Sequence, residues 1–390
     1  MNSLVLLSSD EQSLRLQRLQ RIMTEADADA IIITDNANTY YLTGRVFSGY
    51  IYVPADGAPR YFVRRPVELK GDGVEYIRKP EEIASRLAKL PSRLGLELDI
   101  APYSFIERLR SVFSTPAIVN ASPMLRRARA VKTSLEQQML KVSGTKHEHV
   151  YRMVPHLYRE GMTDLELQVE IERLSRLEGC LGQFRISGDS MELYMGNILT
   201  GDNADNPTPY DFAMGGAGLD PSLPVGANGS VIRPGNTVMV DMNGNFTGYM
   251  TDMTRTFSLG DIDPRAIEAH RLSIDICKAV SEAAVPGTPA RDLYALAERM
   301  VAERGMHNYF MGHRQKAGFI GHGVGIEINE LPVIAPRSKD IIAEGNAIAL
   351  EPKFVIPGTG AVGIENTYLI GADGAECITG APEEILSLDK

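Results

Sequence analysis

Cysteine is scarce in this chain. Cys180, Cys277 and Cys377 are spread over 390 residues, so neither a disulfide framework nor a CxxC metal knuckle can form. A reducing, cytoplasmic setting is the expectation. Positive charge is also short: 40 Lys and Arg against 50 Asp and Glu leave a net charge of −10. A nucleic-acid partner would call for a basic face, and the run Leu125-Arg126-Arg127-Ala128-Arg129 is too short to make one. Long apolar runs are missing too. The N-terminal run Leu4 to Leu7 has no basic region before it and is too short for a signal peptide. No stretch approaches the ~20 residues that span a bilayer. What remains is a globular composition, 44% hydrophobic and 23% charged, at a length that suggests about two domains.

The two parts differ in rhythm. Residues 8–24 read as an amphipathic helix capped by Ser8 or Ser9, with Leu14, Leu19 and Ile22 as its apolar stripe. Strands follow at Ala30–Thr34, in a hairpin turning at Asp56-Gly57, and at 94–100 and 117–122. This alternation predicts a small α/β domain over residues 1–127. From 128 to 390 the order changes. Thr133 or Ser134 caps one helix and Thr163 another. A Gly- and Pro-rich stretch, 187–230, follows, and then a hairpin at 237–258. Helices starting at Asp263-Pro264 and Thr288-Pro289 and a second hairpin repeat the order. Helix, helix, hairpin occurs twice, a coarse internal duplication. The fold class expected is α+β, with the two copies packed as a curved antiparallel sheet backed by helices.

Each hairpin carries two carboxylates inside apolar strands: Asp241 in TVMVDM and Asp252 in GYMTDMTRTF, then Glu351 in AIALEPKFV and Glu365 in AVGIENTYLI. Folded about the midpoint of Phe246 and Thr247, the Asp pair faces across the strands. Folded about Gly358, so does the Glu pair. Like charges opposed on a sheet are destabilising, and buried carboxylates need a compensating cation. Arg255 could compensate Asp252, and Lys353 stands two positions from Glu351 on the same face, so an ion-pair account stays open. His322 in FIGHGVGIEI is a fifth candidate ligand, with glycines on both sides to let the backbone approach closely. Four carboxylates and a neutral imidazole carry a formal charge of −4, which two divalent ions would neutralise. One nitrogen among oxygens suits Mn, Fe, Co or Zn, and paired ions can share a bridging hydroxide and polarise a carbonyl.

The strings VDMNGNFTGYMTDMTRTF, GHGVGIEINELP, LEPKF and GIENTYLI resemble those of the pita-bread metallohydrolases, which include Xaa-Pro aminopeptidases, prolidases, methionine aminopeptidases and creatinase-like enzymes. The resemblance covers about residues 130–390, and the N-terminal part looks like the small domain of the prolidase and creatinase branch. It implies that Asp241, Asp252, His322, Glu351 and Glu365 bind a dinuclear centre and that Glu351 doubles as proton shuttle. It also implies a homodimer acting on a small peptide with an imino acid after the scissile bond.

The departures concern residues that clamp the peptide and protonate its leaving amine. Val225 and Gly226 follow Pro224 where the family has a His. Gly318, Asn329 and Gly363 stand where a His, a His and an Arg are usual. The first of these changes argues against creatinase chemistry. Replacements are sought nearby: His313 as a catalytic residue, with His307 near it, Tyr194 as donor to a developing oxyanion, and Arg185, Arg314 and Asn329 for substrate binding. Asp189 lies in the same glycine-rich rim. His147, His149, His156 and His270 fall on expected helices and are read as structural or solvated. Two other readings stay open: the same metals acting on a non-peptide amide, amidine or lyase substrate, and a metal-free binding protein, against which the retention of all five ligands speaks.

Overall fold

The computed structural model describes residues 2–114, 117–186 and 194–389. The chain forms two compact units, Met1–Arg129 and Ala130–Lys390, against the expected division after residue 127. Among the described residues no helix is long and apolar enough to cross a membrane.

In the first unit the helix Ser9–Glu25 is capped by the Ser8 hydroxyl, which accepts from the Glu11 amide. Leu19 and Ile22 are buried, but Leu14 is exposed and does not join the expected stripe. Arg15 takes that face instead. Its guanidinium bonds Glu11 at 2.6 Å and the Tyr41 carbonyl at 2.8 Å, so a long polar side chain is buried with its charge paired. The sheet is six-stranded, in the order Val74–Tyr76, Arg60–Arg65, Ser48–Pro54, Ala30–Ile33, Arg93–Leu96, Ala117–Asn120. The hairpin Ser48–Pro54/Arg60–Arg65 turns through Gly57 at φ +100°, as its Asp-Gly signal predicts.

The second unit follows the expected duplication. Thr133 and Thr163 each close a capping box, with Glu136 and Glu166, and start the helices Ser134–Leu157 and Asp164–Leu177. Val150, Tyr151, Val154, Leu167 and Ile171 from these helices pack on Val238, Val240, Met242, Met253 and Phe257 of the first hairpin. In the second copy, Pro264–Ala283 is capped by Asp263 with Pro264 at its first position, and Ala290–Glu303 follows. Leu272, Ile276, Val280, Leu293 and Val301 cover Ile348, Leu350, Phe354, Ile356 and Val362. Fully burying one such side chain stabilises by roughly 1.5–3 kcal/mol, and each copy supplies its own apolar layer.

Hydrogen bonding divides the strands into three ladders. One runs Leu386–Ser387, Met250–Ser258, Thr237–Asn245, Gly196–Thr200. A second runs Glu330–Ile334, Gly321–Gly323, Ala347–Leu350, Asn366–Ile370, Ala375–Cys377, and the third pairs Lys353–Ile356 with Gly360–Gly363. They meet where Thr254 and Glu365 exchange backbone bonds of 3.3 and 3.1 Å. Tyr151 ties a helix to this junction: its hydroxyl donates to the Val240 carbonyl and accepts from the Met242 amide.

Two histidines on these helices are buried and neutral. His147 bonds Thr251 through Nδ1, and His270 bonds the Glu383 carbonyl through Nε2. His149 and His156 are exposed. Burial, then the Arg255 charge, lowers His147 from 6.5 to about 3. Burial lowers His270 to about 4 against the Glu383 bond, which raises it. Both folded-state values lie below the unfolded value, so the unfolded chain takes up protons first as pH falls. Stability is therefore present above about 6.5 and is lost progressively below it, by about 1.4 kcal/mol per pH unit for each histidine. Urea denaturation at pH 7 and pH 5 should show this loss, and a His147→Gln, His270→Gln variant should show a markedly shallower one. An equal slope in the variant would contradict the assignment.

Candidate metal centre

The first hairpin turns through residues 246–249, with Asn245 paired to Met250. Gly248, at φ +88°, supplies the left-handed residue, and its amide donates to the Asn245 side chain. The turn is thus centred on Thr247-Gly248, one residue beyond the position expected. Asp252 faces Asn243, and Asp241 faces Thr254. The two Asp residues are not directly opposed but lie diagonally on the same face. That offset corresponds to about 7–8 Å between backbones, where direct opposition gives about 4.5–5.5 Å. It leaves room for a cation between them.

The second hairpin keeps the expected mirror. Lys353 pairs with Gly363 and Leu350 with Asn366, so Glu351 and Glu365 sit at matching positions in the gap between two ladders. His322 occupies a strand between Glu330–Ile334 and Ala347–Leu350. A Cβ on Gly321 would meet the Ala349 oxygen at 2.3 Å, and one on Gly323 the Leu331 oxygen at 2.2 Å, so only glycine fits on either side. The His322 Nδ1 lies 3.1 Å from the Gly323 carbonyl. A proton on Nδ1 satisfies that contact and turns Nε2 toward the acids.

The five expected ligands come together. His322 Nε2 stands 3.4 Å from Glu351 Oε1, 3.9 Å from Asp252 Oδ2 and 4.0 Å from Glu365 Oε1. Two sets of ligand atoms each lie within 4.8 Å of one another: Asp252, His322 and Glu365, and Asp241, Glu351 and Glu365. The sets differ in how their oxygens are satisfied. Glu365 Oε2 accepts from the Thr254 hydroxyl at 2.8 Å, but Glu365 Oε1 is buried with no hydrogen-bond partner among the described residues. A buried acceptor that lacks a donor and faces an imidazole nitrogen and a second carboxylate fits a metal ion.

The other set has a cation within the chain. Lys353 Nζ lies 2.8 Å from Asp241 Oδ2, 2.7 Å from Glu351 Oε2 and 3.1 Å from Glu365 Oε2, with its side chain 0% exposed. Arg255, by contrast, does not compensate Asp252. Three positions apart on one strand, the two side chains leave opposite faces. Arg255 instead donates to the carbonyls of Thr254, Glu365, Thr379, Ala381 and Pro382 and to Asn366 Oδ1. It clamps the strand to the segment that carries Glu365.

These surroundings set the charges. Burial would raise Glu351, but Lys353 and His322 overcome it and hold the carboxyl down at about 2. Burial, then the Glu351 charge, pushes Glu365 up to about 8, and burial, then Glu365, pushes Asp252 well above the usual range. Burial would lower His322, but its bond to Glu351 and the acidic neighbours raise it to about 9.

A cavity of about 460 Å³ opens on the ligands. Its wall includes Phe184, Tyr210, Phe212, Phe319, Ile328 and Val333, together with Asn329 and Asn243. Of the other expected residues only Asn329 is in this wall. His313 Nδ1 bonds Asp205 at 2.9 Å, and the Arg314 amide and side chain meet the same carboxylate. Tyr194 lines a separate pocket with Arg173 and Arg176. The Arg185 carbonyl accepts from the Ile328 amide, and its guanidinium reaches Gln183. Asp189 lies outside the described residues. Lys353 and Asn243 are the contributions that the expected site set omits. Lys353 was visible as the one base near Glu351, whereas Asn243 gives no signal until the hairpin register is known.

Residues 138–372 match the model of metallopeptidase family M24, and residues 15–131 match the creatinase/prolidase N-terminal domain. The chain belongs to metallopeptidase family M24. This M24 protein is 26% identical over 379 residues to an Xaa-Pro dipeptidase of Pyrococcus horikoshii, covering 95% of itself and 98% of that protein. It is 26% identical over 388 residues to an uncharacterized peptidase of Bacillus subtilis, covering 96% of itself and 100% of the relative. Among solved structures, an Xaa-Pro dipeptidase from Bacillus anthracis shares the fold with a TM-score of 0.80 at 23% identity, over 96% of this chain and 99% of that one. A prolidase from Pyrococcus furiosus does so with a TM-score of 0.75 at 25% identity, over 93% and 99%. The protein is a metallopeptidase-like hydrolase with the α+β architecture of this family.

Replacing Thr254 by valine keeps its shape and removes the hydroxyl that donates to Glu365 Oε2. Thr254→Val should cost about 1–3 kcal/mol, because a buried carboxylate loses a donor. Urea denaturation measures this, and an unchanged midpoint would mean that the bond contributes nothing.

Proposed function

We propose that this M24 protein hydrolyses the C–N bond of a small peptide with proline or another imino acid after the scissile bond, as an Xaa-Pro dipeptidase or aminopeptidase does. The orphaned Glu365 Oε1, buried beside Asp252 and His322 on the wall of the cavity, carries the reading. The names of the relatives support the substrate class. When bound there, a divalent ion such as Mn, Co, Zn or Fe supplies Lewis acidity to a carbonyl oxygen and acidifies a water molecule. The resemblance implies a dinuclear centre on Asp241, Asp252, His322, Glu351 and Glu365, and of these Asp241, Glu351 and Glu365 already share Lys353.

The remaining work belongs to the chain's own groups. Glu351, held ionised by Lys353, accepts a proton from water at Oε1 and passes it to the leaving nitrogen. Asn329, in the cavity wall, contacts the substrate's polar backbone, while Phe319, Ile328 and Val333 exclude water and receive an apolar ring. His313 and Arg314, held by Asp205, and Arg185 and Tyr194 receive no role in this reading. The reading extends to a cytoplasmic homodimer.

One observation favours a second reading. Val225 is fully buried, and a side chain at Gly318 would project into open space, so neither position offers the cavity an imidazole. A site without those proton donors suits a substrate whose nitrogen leaves more easily, a non-peptide amide or amidine. Xaa-Pro dipeptides, tripeptides and cyclic amidines assayed side by side with Mn or Co separate the two. Under the first reading, turnover is confined to the peptides. Glu351→Gln should then reduce kcat by about 10²–10⁴-fold while metal content is retained. Undiminished turnover in that variant would refute the shuttle.

A further inference from the structure

We propose that Lys353 is the second cation of the centre, so that this chain holds one divalent ion, on Asp252, His322 and Glu365, where relatives of its fold would be expected to hold two. The inference rests on the reading of Asp252, His322 and Glu365 as a metal position. It goes beyond that reading by assigning the neighbouring position to an ammonium group.

The geometry is that of a completed site. An ammonium has three N–H donors and no acceptor. Those of Lys353 meet one oxygen each from Asp241, Glu351 and Glu365, at 2.8, 2.7 and 3.1 Å. Glu351 is two residues from Lys353, but Asp241 reaches Nζ from the other hairpin and Glu365 from across Lys353's own hairpin, so two of the three contacts are tertiary. They are also one of the two residue sets that could ligate an ion. In the other set Glu365 Oε1 lacks any donor among the described residues. One side of Glu365 has its cation built in, and the other has an unmet requirement for one.

Burial makes the arrangement hard to displace. The Lys353 side chain is 0% exposed. Its strand is fixed at this point: the Lys353 carbonyl accepts from the Met311 amide at 2.8 Å, and the residue pairs with Gly363. An ion that took the same three oxygens would strip a buried ammonium of all its partners and leave two positive centres side by side. An unpaired buried charge costs several kcal/mol, which a second ion would have to offset before it bound at all. Charge leaves a small remainder either way: four carboxylates with Lys353 sum to −1 with one divalent ion and to +1 with two, so the geometry of Lys353 carries the inference. Asp241 thus becomes the partner of Lys353 and ceases to be a metal ligand, and Glu351 spans the two cations, with Oε2 on the ammonium and Oε1 facing His322.

The test is a metal count on the full-length chain. Protein stripped with chelator, reloaded with excess Mn(II) and desalted is measured by inductively coupled plasma mass spectrometry, with titration calorimetry as a second count. The wild type should hold one ion per chain. Lys353→Ala, which opens the ammonium's place, should hold two. Asp241→Asn should still hold one, with affinity within about threefold of wild type, and this arm decides if Lys353→Ala does not fold. Two ions in the wild type would overturn the proposal, as would a Lys353→Ala protein that folds and still holds one. A wild type that binds none would instead remove the metal position itself, and with it the function proposed above. A single ion combined with absence of peptidase activity would leave the inference standing and defeat only the substrate assignment.

Discussion

Four carboxylates within reach of one another, three of them buried and Asp241 partly so, are the constraint that the second unit is built around. Asp241, Asp252, Glu351 and Glu365 repel, and burial magnifies the repulsion. Asp252 and Glu365 show this directly, since burial and their acidic neighbours push both carboxyls upward. Such a cluster is stable only with positive charge inside it. Part of that charge is covalently attached as Lys353. On the reading proposed above, a cation bound by Asp252, His322 and Glu365 supplies the rest. The helix pairs, capping boxes and apolar layers of both halves position three ladders so that this one junction is held.

The chain invests its most polar packing just behind the site. Arg255 satisfies backbone oxygens from residues 254, 365, 379, 381 and 382 and never touches the acids. Its charge is spread over carbonyl dipoles, and its rigid fork fixes the path of three segments. Tyr151 does the same from the helix side. His322 is placed by the opposite device, since two flanking glycines let neighbouring strands come so close that no larger residue fits. The acids and His322 are thus placed by backbone paths that packing holds firmly.

Much of this architecture was legible in the amino-acid order because it follows from local rules. Thr133, Thr163 and Asp263 cap helices as their chemistry predicts, and the Glu hairpin folds about Gly358. The Asp hairpin was read one residue out. Its string NGNFTG contains two turn signals, and tertiary packing selects the later one. Leu14 was misplaced because a helix stripe is decided by what lies opposite, and Tyr41 and Glu11 make that place suit Arg15. Residues outside the hairpins were the least legible. Whether His313 faces a substrate or Asp205 depends on a contact 108 positions away, which no local pattern encodes.

Arg255 also links the centre to the order of synthesis. Its partners at Thr379, Ala381 and Pro382 lie far downstream of the strand that carries it, and Leu386–Ser387 adds the outermost strand beside the same hairpin. On the ribosome, a growing chain that has not yet reached these positions leaves the guanidinium without half of its acceptors. The clamp behind the acidic cluster therefore closes only once the residues up to Pro382 have been made and can fold back onto the strand of Arg255.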